Sequence, residues 1–155
     1  MSTASLDRID RKILDILQRE GRIAITELAQ RVGLSTSPCS ERVKRLEKSG
    51  VITGYHARVA PEAVGKTLLV FVEIKLSSKS GEVFDKVKKE LLHMPEVQEC
   101  HLVSGGFDYL IKVRLADMHT YRTFLGDVLL NLPGVRETRS YPVLEEVKTD
   151  GPLPV

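Results

Sequence analysis

An α+β protein in two parts is what this sequence predicts, on three observations. The first sixty residues carry apolar patterns of helical period and only one short stretch of strand character. The remainder carries a nine-residue motif twice, each copy joining the end of a helix to the start of a strand. The two parts also differ in charge: residues 1–60 hold 11 Lys/Arg against 7 Asp/Glu, a net of +4, and residues 61–155 hold 12 against 14, a net of −2. A basic front joined to a mildly acidic back suits a nucleic-acid module on a second domain, although a net of +4 on sixty residues is by itself ordinary.

In chain order, residues 7–20 place Ile9, Ile13, Ile16 and Leu17 on one helical face, with Asp7 as a cap and Gly21 as a stop. A second helix covers about Thr26–Val32, with Leu28, Ala29 and Val32 inward, and Gly33-Leu34 is a tight turn. A third covers about Ser35–Ser49, with Pro38 tolerated in its first turn. The run V-I-T-G-Y-H-A-R-V alternates weakly around Gly54 and predicts a small hairpin. Three helices with a short turn between the last two, followed by a hairpin, form a winged helix-turn-helix, whose third helix enters the DNA major groove. The expected boundaries are 1–60 for this domain, a linker at about 61–66, and a second domain over 67–155.

In the second domain, Leu91–Glu99 (LLHMPEVQE) matches Leu129–Glu137 (LLNLPGVRE) at an offset of 38 residues. A strand precedes each helix, Leu68–Leu76 and Tyr109–Leu115, giving β-α-β twice, the ferredoxin-like βαββαβ arrangement. On the first strand Val70, Val72, Ile74 and Leu76 point one way, and Leu69, Phe71, Glu73 and Lys75 the other. The half-apolar second face is either solvated or buried against a second copy of the chain.

The third helix carries the chemistry of the first domain. With Cys39, Val43 and Leu46 inward, Ser37, Glu41, Lys44, Arg45 and Lys48 point away, and Ser40 and Arg42 lie on the flanks. With Ser35 and Thr36 at the helix start, these nine residues are the expected DNA contacts: hydroxyls for phosphates or base edges, Lys and Arg for phosphates or the guanine edge. Glu41 opposes phosphate, and is expected to accept from a cytosine amine or to orient Arg45 one turn later. Cys39 reads as a small core residue.

The stretch V-S-G-G-F-D-Y-L, Val103 to Leu110, joins two strands. Glycines of positive φ would suffice for a bare turn. A ligand loop is the other reading: backbone N–H groups of Gly105 and Gly106 for a carboxylate, and Asp108 for an ammonium. A phosphate loop is disfavoured, since no Lys or Ser/Thr follows the glycines. His56, His93, His101 and His119 are scattered and the two cysteines form no C-x-x-C, so no metal or other cofactor is expected. Asp108 with His101 is a conceivable acid–base pair, but neither a nucleophile nor metal spacing accompanies it, and no enzyme is expected. With no signal-peptide pattern, and an apolar run at Leu68–Val72 too short for a bilayer, a cytoplasmic, nucleoid-associated protein without a membrane partner is expected.

The runs LDRIDRKILDILQ, TELAQRVGLSTSPCSERVKRLEKSGVI, LLVFVEI, ECHLVSGGFDYL and LLNLPGV resemble the leucine-responsive regulatory protein/AsnC (feast/famine) family over about Leu6–Lys148. Gly106 departs from it, standing where members often carry an acid. The resemblance implies a transcription regulator with an N-terminal DNA-binding domain and a C-terminal domain that binds an amino acid and forms dimers, which commonly assemble into octamers. It implies an effector loop at a subunit interface, built from Leu102, Ser104, Gly105, Gly106, Asp108 and Tyr109 with Met118 and Tyr141, and taking leucine or another apolar amino acid. The alternative is an architectural DNA-binding protein that needs no effector.

Overall fold

The computed structural model describes residues 5–155, so residues 1–4 of the expected first domain lie outside it. The chain divides into two compact units. The first contains the chain up to Arg58 together with Lys148–Val155, and the second is Val59–Val147.

In the first unit, α1 (Arg8–Arg19), α2 (Ile25–Val32) and α3 (Thr36–Lys48) pack around one core. A reciprocal capping box starts α1: the Asp10 N–H donates to the Asp7 carboxylate at 2.8 Å, and the Asp7 N–H donates to Asp10 at 3.3 Å. Ile13, Leu14 and Ile16 of α1 meet Leu28, Ala29 and Val32 of α2 and Cys39 and Leu46 of α3, all buried. Gly33 adopts φ 78° as the cap of α2, which only glycine accepts without strain, and this sets the turn into α3.

The expected hairpin does not form. Residues 51–60 contain no strand, and the N–H groups of Val51 and Ile52 return to the Leu46 carbonyl. The Tyr55 hydroxyl donates to Glu47 on α3, so the segment is drawn back onto the helix instead of folding on itself. The second expected domain also ends earlier than 155. Gln18 of α1 bonds the Leu153 backbone in both directions, at 2.7 and 3.1 Å, and Arg58 donates to the Asp150 carbonyl at 2.7 Å, which places the tail with the first unit.

The second unit begins with a single 3₁₀ turn, Pro61–Val64, inside the expected linker. Then follow β1 (Leu68–Leu76), α4 (Gly81–His93), β2 (Val97–Leu102), β3 (Tyr109–Leu115), α5 (Met118–Thr123) and β4 (Val135–Pro142). After α5 the chain continues as a π-helical turn, Phe124–Val128, and a 3₁₀ turn, Leu129–Asn131. The four strands lie in the order β2-β3-β1-β4, every neighbouring pair antiparallel, which is the split βαβ topology. Val70, Val72 and Ile74 of β1 and Tyr109, Ile111, Val113 and Leu115 of β3 face a core closed by Val87 and Leu91 of α4 and by Tyr121, Phe124, Leu129 and Leu132. The other face presents Phe71, Glu73 and Lys75 of β1 beside Leu110 and Lys112 of β3 and Glu137, Arg139 and Tyr141 of β4.

Candidate nucleic-acid interface and ligand cleft

Cys39 and Leu46 anchor α3 in the core, and that orientation exposes Ser35, Thr36, Ser37, Glu41, Lys44 and Lys48 and half-buries Ser40. None of these seven side chains has a hydrogen-bond or ion-pair partner among the described residues. Hydroxyls at the start of a helix and two lysines along its outer face leave donors and positive charge free for a polyanion.

Arg42 and Arg45 are placed otherwise. Asp10 of α1 is 1% exposed, and its carboxylate accepts from Arg45 Nη2 at 2.7 Å on both oxygens and from Arg42 Nη1 at 2.8 Å. Arg42 also reaches Asp7 at 2.5 Å. The hydrogen bond from the Asp10 N–H and the neighbouring Arg42 hold the Asp7 carboxyl below its usual range, and Asp7 followed by Asp10 holds the Arg42 guanidinium above its own. Both arginines therefore tie α3 to α1. Glu41 does not orient Arg45, because the buried Asp10 offers a better-desolvated partner.

The loop from Val103 to Asp108 is a strand connection in which only Gly105 has positive φ, 148°; Gly106 does not need to be glycine for its backbone. A Cβ on either would meet open space. Asp108 is 7% exposed and turns inward. Beyond the pair Ile74–Tyr109, strand β3 no longer supplies partners to β1, and the Asp108 Oδ2 accepts the Leu76 N–H at 2.8 Å in their place. Its own N–H donates to the Ile74 carbonyl at 2.9 Å. In this arrangement Asp108 caps a strand end through its Oδ2. Tyr109 is likewise not a loop residue. It is buried, stacks at a tilt on Phe84 with centroids 5.9 Å apart, and donates to the Phe84 carbonyl; burial pushes its phenol up.

The remaining expected effector residues do not converge within one chain. Leu102, Ser104, Gly105 and Gly106 are exposed at one end of the sheet. Met118 follows Leu115 at the other end of β3, about 20 Å away at a strand rise of roughly 3.3 Å per residue. Tyr141 lies between, paired with Phe71.

What the loop does border is a cleft of about 390 Å³ lined by Gly106, Phe107, Glu73, Lys75, Glu137, Thr138 and Arg139. Antiparallel pairing sets Glu73 against Arg139 and Lys75 against Glu137, and Arg139 Nε lies 3.3 Å from the Glu137 carboxylate. Glu73 beside the Tyr141 hydroxyl pushes that phenol up, so Tyr141 adjoins the cleft. Two carboxylates and two cations in alternation complement a zwitterion, acids for an ammonium and cations with the Gly106 backbone for a carboxylate. The sequence reading missed these residues. The alternation of β1 had pointed Glu73 and Lys75 outward, but only the pairing of β4 with β1 supplies the other half. Among the described residues no group of His, Cys, Asp and Glu could hold a metal, and no helix is long and apolar enough to cross a membrane.

Both parts of the chain are similar to known proteins. Residues 6–53 match a winged helix-turn-helix DNA-binding family and residues 69–153 match the Lrp/AsnC ligand binding domain. The leucine-responsive regulatory proteins of Escherichia coli K12 and Klebsiella pneumoniae are each 54% identical over 148 residues, 96% of this chain and 90% of theirs. A transcriptional regulator of Neisseria meningitidis in complex with L-Met superposes with TM-score 0.93 at 37% identity, covering 97% of both chains. A feast or famine regulatory protein of M. tuberculosis complexed with L-methionine gives TM-score 0.83 at 36% identity, covering 94% of this chain and 97% of that one.

Proposed function

The chain belongs to the Lrp/AsnC family of ligand-responsive transcription regulators, and on that footing we propose that α3 reads the major groove of double-stranded DNA while the cleft beside Gly106 binds an apolar amino acid. It is a regulator and not an enzyme, as its relatives are. On α3 the contacts are the hydroxyls of Ser35, Thr36, Ser37 and Ser40 with Lys44 and Lys48; Glu41 accepts from a cytosine amine. The effector's carboxylate meets Lys75, Arg139 and the Gly106 N–H, and its ammonium meets Glu73 or Glu137. Two relatives hold L-methionine, an unbranched apolar amino acid close to leucine in size, which favours leucine or methionine. Leu102, Tyr141 and, from another subunit, Met118 supply apolar contact.

The single observation that carries the effector reading is the alternation of Glu73, Lys75, Glu137 and Arg139 around one cleft. The outer face of the sheet, with Phe71, Leu110 and Tyr141, joins two copies, and the dimers assemble further to an octamer that acts on the nucleoid in the cytoplasm. A two-fold dimer requires inverted-repeat DNA sites.

Melting the full chain against each of the twenty amino acids tests this, since a ligand that binds only the folded state raises the midpoint. Leucine or methionine is expected to raise it, and Lys75→Ala with Arg139→Ala to abolish the rise. If no amino acid moves the midpoint while footprints on DNA persist, the chain is an architectural protein without effector. Sedimentation as a monomer at micromolar concentration refutes the dimer.

A further inference from the structure

Four cations lie on α3: Arg42, Lys44, Arg45 and Lys48. Lys44 and Lys48 are exposed without a partner among the described residues, whereas both arginines converge on one carboxylate of another helix. Arg45 has a side chain 59% exposed, yet its Nη2 bends back to span both oxygens of Asp10. Arg42, 25% exposed, is held by Asp10 and Asp7 together. A buried carboxylate between helices is a poor device for stability, because desolvation offsets most of the attraction and an apolar residue would serve as well. Its effect on charge is that two guanidiniums of α3 are engaged by carboxylates at the start of α1.

We propose that Asp10 sets the specificity of DNA binding by withholding Arg42 and Arg45 from the phosphate backbone. This rests on α3 being the DNA-facing helix. Phosphate contacts are blind to sequence and dominate non-specific affinity, so each cation withheld lowers binding everywhere without lowering base readout. Discrimination then falls to the hydroxyls of the first turn and to Lys44 and Lys48. Replacing the charge of Asp10 releases both arms. Each additional phosphate contact steepens the slope of log K against log salt by about 0.9, which at about 0.1 M salt is roughly eightfold in affinity.

The experiment uses the full chain, a random-sequence duplex, and a duplex selected from a random pool for binding to the wild-type protein. Asp10→Asn keeps the shape and one acceptor oxygen, and exchanges the other for an NH2 that cannot accept from a guanidinium. It is expected to steepen the salt slope on random DNA by about one to two per helix and to lower the ratio of selected-site to random-duplex affinity. Adding Arg45→Ala to Asp10→Asn is expected to return the slope toward wild type, which loss of structure alone would not do. In the wild-type background Arg45→Ala is expected to leave the slope unchanged. If Arg45→Ala flattens that slope by about one, Arg45 already contacts phosphate and the proposal is overturned. An unchanged slope in a folded Asp10→Asn protein overturns it too. Should Asp10→Asn not fold, Arg42→Ala in the wild-type background serves instead: an unchanged slope is expected, and a slope flatter by about one places Arg42 on phosphate and overturns the proposal. Lys44→Ala separates this proposal from its premise. A flatter slope keeps α3 at the DNA even when Asp10→Asn is silent, and no change at Lys44 moves the fault to the placement of the helix.

Discussion

Asp108→Ala decides between the two roles open to that carboxylate, strand cap or ligand partner. In the structure its Oδ2 is the acceptor for the buried Leu76 N–H, at the point where β3 has run out. Truncation to alanine leaves that N–H without an acceptor and with little access to water. An orphaned buried donor costs about 1–3 kcal/mol, and the lost bond was charge-assisted, which places the expected loss at about 2–3 kcal/mol. Asp108→Asn keeps an oxygen for the Leu76 N–H and loses the charge and the second acceptor oxygen, so about 1 kcal/mol is expected. The loss is local to the second unit. Amide exchange of Val72 and Ile74, fully buried in β1, measures it there. At an m-value of about 2 kcal/mol/M the alanine variant also lowers that unit's urea midpoint by about 1–1.5 M. Effector-induced melting shifts should survive in Asp108→Asn. The cap reading is refuted if both variants keep wild-type stability and both lose the effector.

Three further outcomes follow from particular contacts. At Gly134, φ is 97° and an added Cβ would stand 2.5 Å from Val83 Cγ1, so Gly134→Ala combines backbone strain with overpacking and should cost about 2–4 kcal/mol in denaturant unfolding. Removing the Val83 branches in the same chain should recover part of that, and simple additivity of the two changes would disprove the clash. Asp7 has a folded pKa below its unfolded value of about 3.9, so its stabilisation is complete above that value and disappears as pH falls through the lower folded one. The urea midpoint of the first unit should therefore drop below about pH 4, and Asp7→Asn should reduce that drop. Gln18→Ala removes both bonds to Leu153 and should cost the first unit at most about 1 kcal/mol while speeding proteolysis of the tail; protection equal to wild type would mean that the tail is held by other contacts.

Elements whose signal is local were legible in the sequence. Helical period with the Asp7 cap gave α1 to within a residue at each end, and alternation with a flanking repeat gave β1 and β3 to the residue. The repeat itself hides an asymmetry: Glu96 in the first copy corresponds to Gly134 in the second, where α4 comes too close for a side chain. Features that depend on a distant partner were not legible. Arg45 and Asp10 are 35 positions apart, and nothing in the period of α3 says that its arginine turns back to α1. The weak alternation around Gly54 read as a hairpin because local pattern cannot show that Tyr55 has a better partner in Glu47. The Asp after the glycines looked like a ligand group because Leu76, whose N–H it serves, is 32 positions away. The cleft required the pairing of β4 with β1, which no single strand discloses.

Asp10 and Asp108 are the only buried carboxylates among the described residues, one in each unit. A buried carboxylate must be paired or hydrogen-bonded, and here the partners come from its own unit: guanidiniums of α3 for Asp10, the backbone of β1 for Asp108. Each therefore spends its charge internally and shapes what its neighbours can offer. Beside Asp10, the outer side of α3 is left with hydroxyls and two lysines. Beside Asp108, the loop is pinned by its N–H to Ile74 and its carboxylate to Leu76, so that Gly106 and Phe107 form one wall of the cleft opposite β4. The acid most conspicuous in the loop thus has one oxygen committed to the backbone of β1. On the proposed effector reading, an ammonium and a carboxylate meet Glu73, Lys75, Glu137 and Arg139 of the outer sheet face, whose cross-strand pairing holds opposite charges at neighbouring positions.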